Sequence, residues 1–181
     1  RFHNTPDAAA YAEENGYTII PSFEEAPTST EGRLILSSSL NFGDYGVVPA
    51  IDGGARTDWL KKATDLGITR LTNPAGFFMM IEGGRIDYFC HYNDAASFVF
   101  ELIDFDKAVQ SALAFYQAHP QETLVLVTAD HETGNISLTQ GDRGALLRQT
   151  ISSDLCDDTL VKDCVTAQTS FDQALPLFVS A

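Results

Sequence analysis

Three features of the chain predict an α/β fold, with a mainly parallel central sheet flanked by helices in a three-layer αβα arrangement. Residues 76–81 ("GFFMMI") and 123–128 ("TLVLVT") are apolar runs of strand length without polar alternation, the pattern of strands buried on both faces. Between them Phe98, Leu102, Phe105, Val109, Leu113 and Tyr116 recur at three- and four-residue intervals. That spacing predicts one long helix with an apolar stripe, stopped by Pro120. Strand, helix and strand make a βαβ unit, which places the two strands parallel in one sheet.

The remaining elements follow from local chemistry. "TPDAAAYAEENG" predicts a short helix, with Thr5 as N-cap, Pro6 in the first turn and Gly16 at the stop. "YTII" and "RLILSS" predict short strands separated by a loop rich in Pro, Ser and Thr. Residues 37–56 lack periodicity and hold several glycines, which predicts a long surface loop. "TDWLKKATDLGI" returns to helical spacing through Trp59, Leu60, Ala63 and Leu66. Beyond residue 140 the signal weakens, with residues 144–151 and 171–179 expected as short helices around a polar loop. The chain therefore predicts a single α/β domain (1–181) or a fragment of one, with 141–181 as a peripheral insert or subdomain.

At 181 residues, 44% hydrophobic and 20% charged, the chain can bury a core of ordinary size. No apolar run approaches the roughly 20 residues of a membrane span. A net charge of −14 opposes binding to nucleic acid or to an anionic membrane surface. A small anionic substrate would need a local cationic centre, and a bound divalent metal supplies one. The chain opens at Arg1 without an initiator Met, which is expected of a mature form or an excised piece. Cys156 and Cys164 flank a nine-residue loop; they either pair, as in an oxidising compartment, or stay as two thiols.

Ligands of open parallel sheets bind beyond the carboxyl ends of the strands. Both predicted central strands end in candidate metal ligands: Glu82 after the first, Asp130 and His131 after the second. Asp87 and His91 follow the first strand at a spacing of four, which puts both on one face if they open the long helix. Three carboxylates and two imidazoles suit zinc, and a carboxylate with water suits magnesium. A donor set without thiolate points to a catalytic rather than a structural metal. Taken separately, each cluster also fits a helix cap beside a hydrogen-bonded histidine. Cys90 is expected as a small buried filler, Glu132 as a helix-start or solvent-facing acid, and Arg85 as a partner of a local carboxylate. His119 is expected at a helix C-terminus, and His3 at a frayed end.

"GFFMMIEGGRID", its His91 and "NDA", followed by "LVLVTADHETG", resemble the alkaline phosphatase family. The resemblance is specific over residues 76–138 and fades after about residue 140. It implies a hydrolase of phosphate monoesters with two zinc ions and one magnesium ion, working through a phosphoserine formed on a nucleophilic serine. Carried over by motif, Glu82 resembles the magnesium ligand, Asp87 and His91 the ligands of one zinc, and Asp130 and His131 those of the other. It further implies a secreted or periplasmic homodimer in the full-length protein.

The chain departs from the family pattern. It has no Asp-Ser-Ala segment for the nucleophile, no upstream strand-end Asp bridging the metals, and no His after His131. Tyr88, Phe89 and Cys90 stand where relatives carry smaller residues. No catalytic residue is therefore assigned within the chain, and the expectation is the metal-binding portion of a longer phosphatase, inactive alone. The alternatives are a related phosphodiesterase or sulfatase-like hydrolase, and a non-catalytic metal-binding module.

Overall fold

A computed structural model describes residues 8–28, 32–36, 48–53, 56–133, 137–138, 148–152 and 167–168. The first helix, α1 (Ala8–Glu14), is alanine-rich and ends where the Gly16 amide bonds the Glu13 carbonyl at 3.0 Å. Gly16 has φ +80°, the left-handed geometry that stops a helix at little cost to glycine. The predicted cap, Thr5 and Pro6, lies outside the described residues. Strands β1 (Tyr17–Ile20) and β2 (Arg33–Leu36) pair in parallel, from Tyr17 opposite Arg33 to Ile20 opposite Leu36. The short strands expected there are present, and the α/β class with parallel pairing holds.

Residues 37–47 of the predicted surface loop lie outside the described set, but its end is not a surface feature. Ala50–Asp52 form a 3-10 turn with Ile51 buried, and Arg56 is buried close behind it. A low-periodicity, glycine-bearing sequence concealed an anchor. The Arg56 guanidinium donates to Glu101 at 2.9 Å and to Asp104 at 2.5 Å, and its Nε donates to the Val48 carbonyl at 3.0 Å. Glu101 also accepts from the Ala50 amide at 2.7 Å. A second cross-link, 100 residues apart in sequence, has Asp52 accept from the amide and hydroxyl of Ser152, both at 2.8 Å.

Helix α2 (Trp59–Leu71) covers the predicted helix and packs on α4 (Ala95–Ala118). Asp58, at the start of α2, adopts φ 55° and pairs with Lys107 of α4 at 2.5 Å. That hydrogen bond, with further lysines nearby, holds the Asp58 carboxyl below the usual range. In the sequence α2 and α4 are separated by α3 (Arg85–His91), a short helix of its own. Residues Tyr92–Asp94 part it from α4, with Asn93 at φ 61° and Asp94 capping α4 through the Ser97 amide at 2.9 Å. The expected opening of the long helix is thus two helices. An Asn able to take the left-handed form and an Asp suited to the cap break the run at that point.

The buried face of α4 also differs from the predicted apolar stripe. Ala95, Ala96, Ser97, Glu101, Asp104, Ala108 and Ser111 face inward, whereas Leu102, Leu113 and Tyr116 are exposed. Small residues let α2 and the Ala50–Asp52 turn approach closely, and the two acids reach Arg56. Phe115, outside the predicted stripe, meets the 77–83 segment edge-on at Phe77, 5.6 Å between ring centres. Phe105 lies 3.1 Å from where a side chain on Gly83 would begin, so that glycine is required by close approach.

The two predicted central strands do not form ladders among the described residues. Residues 77–83 and 123–129 are neither helix nor strand, apart from an isolated bridge position at Val127. Their side chains nevertheless alternate. Phe78 (88%), Met80 (78%), Leu124 (74%) and Leu126 (57%) are exposed, while Met79, Ile81, Thr123 and Val125 are half-buried. That is the period-2 geometry of strands with one face covered. A ladder needs a neighbouring backbone, and among the described residues these segments have no more than that single bridge. A two-residue antiparallel pair, β3 (Ser137–Leu138) with β4 (Ala167–Gln168), completes the described elements. Of the expected helices at 144–151 and 171–179, only residues 148–151 are described, and they form no helix. Cys156 and Cys164 also lie outside the described residues.

Replacing Arg56 by Met is expected to cost about 3–5 kcal/mol, because two buried carboxylates lose their partner. Urea unfolding at neutral pH measures it, and a loss below about 1 kcal/mol, the worth of a surface pair, would remove Arg56 from this role. A pH signature accompanies it. Burial pushes Glu101 above its usual 4.5, against the opposing pull of Arg56, the Ala50 amide and Arg85. The native state then holds this proton to higher pH than the unfolded chain does. Its contribution to stability is present below about 4.5 and is lost as pH rises through the native value. Glu101→Gln should therefore gain stability relative to the parent as pH rises above about 4.5; parallel profiles would contradict the assignment.

Candidate functional site

Each predicted ligand is positioned by a turn or helix end that its own sequence dictates. Glu82 is exposed at the end of the first apolar segment, and its Oε1 lies 3.2 Å from where a Cβ on Gly84 would stand. The glycine leaves room that any side chain would fill. Asp87 sits in the first turn of α3 and His91 in its last, so the i, i+4 spacing does bring them together. His91 Nε2 is 3.3 Å from Asp87 Oδ1. The same-face expectation holds, on a short helix of its own rather than on the start of the long one.

Asp130 and His131 follow the second apolar segment, with His131 Nε2 3.6 Å from Asp130 Oδ2 and both residues exposed. His131 Nδ1 lies 2.7 Å from the Glu132 carbonyl oxygen. A carbonyl can only accept, so in the neutral ring Nδ1 carries the proton and Nε2 keeps its lone pair. That is the tautomer a metal-binding imidazole needs.

The two halves of the site meet through a residue that the sequence did not mark. The Thr133 hydroxyl donates to Asp87 Oδ1 at 2.6 Å, across 46 positions of chain. Its signal was its place in the "TADHET" segment, three residues after Asp130, but nothing in the spacing says that its hydroxyl reaches α3. Glu132, expected at a helix start or in solvent, is half-buried outside any helix.

The neighbouring residues of α3 turn inward. Phe89 is fully buried and Cys90 is buried, while Tyr88 stays exposed. Burial, with Asp87 nearby, pushes the Cys90 thiol up to about 11. It is a neutral filler, as its place between oxygen and nitrogen donors suggested. Arg85 is buried with its guanidinium 4.8 Å from the Phe89 ring, and its charge acts on Glu101. That acid lies on α4 and not in the local turn where a partner was expected. His119 caps α4 with its ring 4.6 Å from Phe115; His3 lies outside the described residues.

The donor set fits divalent metals in kind: oxygen and nitrogen without thiolate, a cradle beside Glu82, and a correctly protonated His131. In arrangement it is two pairs and a lone carboxylate. Among the described residues no three such groups stand close enough to hold a metal ion.

Known proteins identify the class. Alkaline phosphatase 4 of Bacillus subtilis (strain 168) is 40% identical over 98 residues, 54% of this chain and 21% of the relative. The repressible alkaline phosphatase of Saccharomyces cerevisiae is 49% identical over 61 residues, 34% of this chain and 11% of the relative. Among solved structures, the alkaline phosphatase of the Antarctic bacterium TAB5 matches with TM-score 0.66 and 29% identity, over 98% of this chain and 48% of that one. A point mutant of the TAB5 enzyme, with TM-score 0.65 and 28% identity over 98% of this chain and 49% of that one, was solved with Mg bound in its M3 site. The fold and its relatives are those of phosphatase-type hydrolases. The alkaline phosphatase family model matches residues 41–166, and the chain belongs to that family. It spans about a fifth of the Bacillus relative and about half of the TAB5 structure.

The Cys90 environment carries its own expectation. In the folded chain at mildly alkaline pH, the Cys90 peptide should resist alkylation and become labelled only in denaturant. Peptide mapping separates it from Cys156 and Cys164. Labelling of Cys90 in the native chain at the rate of a free thiol would contradict its burial.

Proposed function

We propose that the chain is the metal-binding portion of an alkaline phosphatase that hydrolyses phosphate monoesters through a serine nucleophile outside these 181 residues. The observation that carries the reading is the convergence of "EGGRID" and "TADHET" through the Thr133–Asp87 hydrogen bond, in a chain of this family. Asp87 and His91 would hold one zinc, Asp130 and His131 the other, and Glu82 the magnesium. When bound, such ions lower the pKa of oxygen nucleophiles and stabilise charge on the leaving oxygen. The chain's own part is to present deprotonated carboxylates and neutral imidazole nitrogens at that place. The metals would also supply positive potential where a phosphate anion meets a chain of net charge −14.

The reading extends to a homodimeric, secreted or periplasmic parent protein. Two donors per zinc fall short of the three protein ligands usual in catalytic sites, and no Asp-Ser-Ala segment is present. The isolated chain should therefore bind zinc weakly and turn over little or no substrate.

Hydrolysis of an aryl phosphate by the parent protein tests this. Asp130→Asn and His91→Ala should each lower the rate at least about 100-fold. A chelator should abolish activity, and zinc with magnesium should restore it. A parent protein inactive with both metals, or a 181-residue chain as active as its parent, would sink the proposal. Stoichiometric zinc binding without turnover in the parent would favour a non-catalytic metal module instead.

A further inference from the structure

We propose that residues 77–82 and 123–128 are two strand edges that pair with an extended apolar segment of the parent chain, outside residues 1–181. The inference rests on the reading of this chain as part of a longer phosphatase. Contacts at both ends fix the direction of the two segments. Phe77 meets Phe115 near the end of α4, while Gly83 lies against Phe105 nearer its start. The 77–83 segment thus runs opposite to α4. Residue 123 follows the turn that ends α4, where the Glu122 amide bonds the His119 carbonyl at 3.2 Å. At its other end Thr133 reaches Asp87, just beyond Gly83. Both segments therefore run the same way, from the end of α4 toward α3.

One side of the first segment is taken. Met79 packs on Gly67 of α2, its sulfur 3.2 Å from where a Cβ on that glycine would stand. The alternate residues Phe78 and Met80, like Leu124 and Leu126 of the second segment, are exposed. Among the described residues, 77–82 and 123–125 make no backbone–backbone hydrogen bond. Extended backbone with its ladder groups open and apolar side chains at alternate positions is what a strand-adding partner recognises. The main chain supplies affinity, and the alternate side chains supply selection.

Charge argues against a second copy as that partner. Glu82, Glu122 and Asp130 flank the segments, and no Lys or Arg lies within 71–84 or 119–133. Two copies paired here would set acid against acid. Length argues for the parent chain. This chain covers 48% of the TAB5 structure, so that fold holds about as much chain again. A segment of the same polypeptide also meets these edges at high effective concentration.

Amide hydrogen exchange, followed residue by residue in the 181-residue chain and in the intact parent protein, tests the pairing. Amides of 77–82 and 123–125 should exchange freely in the isolated chain, and about 100-fold or more slowly in the parent. Variants separate a ladder from apolar contact alone. Met80→Pro with Leu124→Pro removes two backbone donors, while Met80→Ala with Leu124→Ala keeps them. The proline pair should leave melting of the isolated chain unchanged. It should lower melting of the parent about 5 °C or more below the alanine pair.

Equal exchange in the two proteins would overturn the proposal, as would equal melting of the two variant parents. Protection already present in the isolated chain would also overturn it. A dimer in sedimentation would then assign the edges to a second copy, and a monomer to this chain's own residues. If the prolines unfold the isolated chain, exchange in the unmutated proteins decides. Protection in a parent without phosphatase activity would sink the functional reading and leave this one standing. An active parent with unprotected edges would do the reverse.

Discussion

The buried guanidinium of Arg56 is the interaction on which the described helices depend. It meets Glu101 and Asp104 one turn apart on α4, and the same Glu101 reaches back to the Ala50 amide. A charged group can be taken out of water only if partners satisfy it. Here the partners are two acids of one helix and the Val48 carbonyl, so satisfying the charge also fixes α4 against the turn that precedes Arg56. With α4 placed, α2 is docked through small facing residues and the Asp58–Lys107 pair, and α3 through Phe89 and the Phe105–Gly83 contact. The candidate site hangs from this framework at two points: the end of the 77–83 segment, and the segment that follows α4.

Two constraints act on the site itself, and they oppose each other. Metal ligands must be deprotonated and near one another, yet carboxylates brought together repel. Among the described residues Asp87 accepts from the Thr133 hydroxyl and stands beside His91, while Asp130 stands beside His131. Each pair is poised, and neither pair is a complete coordination sphere. That state is physically coherent for a chain spanning part of the length of its relatives.

Much of this was legible in the sequence, but unevenly. The helices around Trp59 and Phe98 announced themselves by spacing, because a helix closes its hydrogen bonds within its own segment. The strands at 77–81 and 123–128 were legible as patterns and not as ladders, because a ladder belongs to two segments at once. Asp87 and His91 were legible as neighbours, since i and i+4 share a helical face. Arg56 was not: a lone Arg after Gly-Gly-Ala carries no sign that two acids 45 and 48 residues onward will surround it. Thr133 was missed for the same reason. Local periodicity reports on contacts within an element, and both residues act between elements.

The alternation of Phe78, Met80, Leu124 and Leu126 has a colloidal consequence. Four large apolar side chains stand out from two extended segments whose backbones pair with little else among the described residues, and such segments are adhesive toward other extended chains. What opposes that adhesion is the −14 charge, which makes copies of the chain repel one another. The repulsion reaches only about 10 Å at 0.1 M salt, and shrinks as salt is added. The sticking of apolar surface is not screened in that way. The balance between charge repulsion and apolar contact between copies therefore shifts toward contact as ionic strength rises.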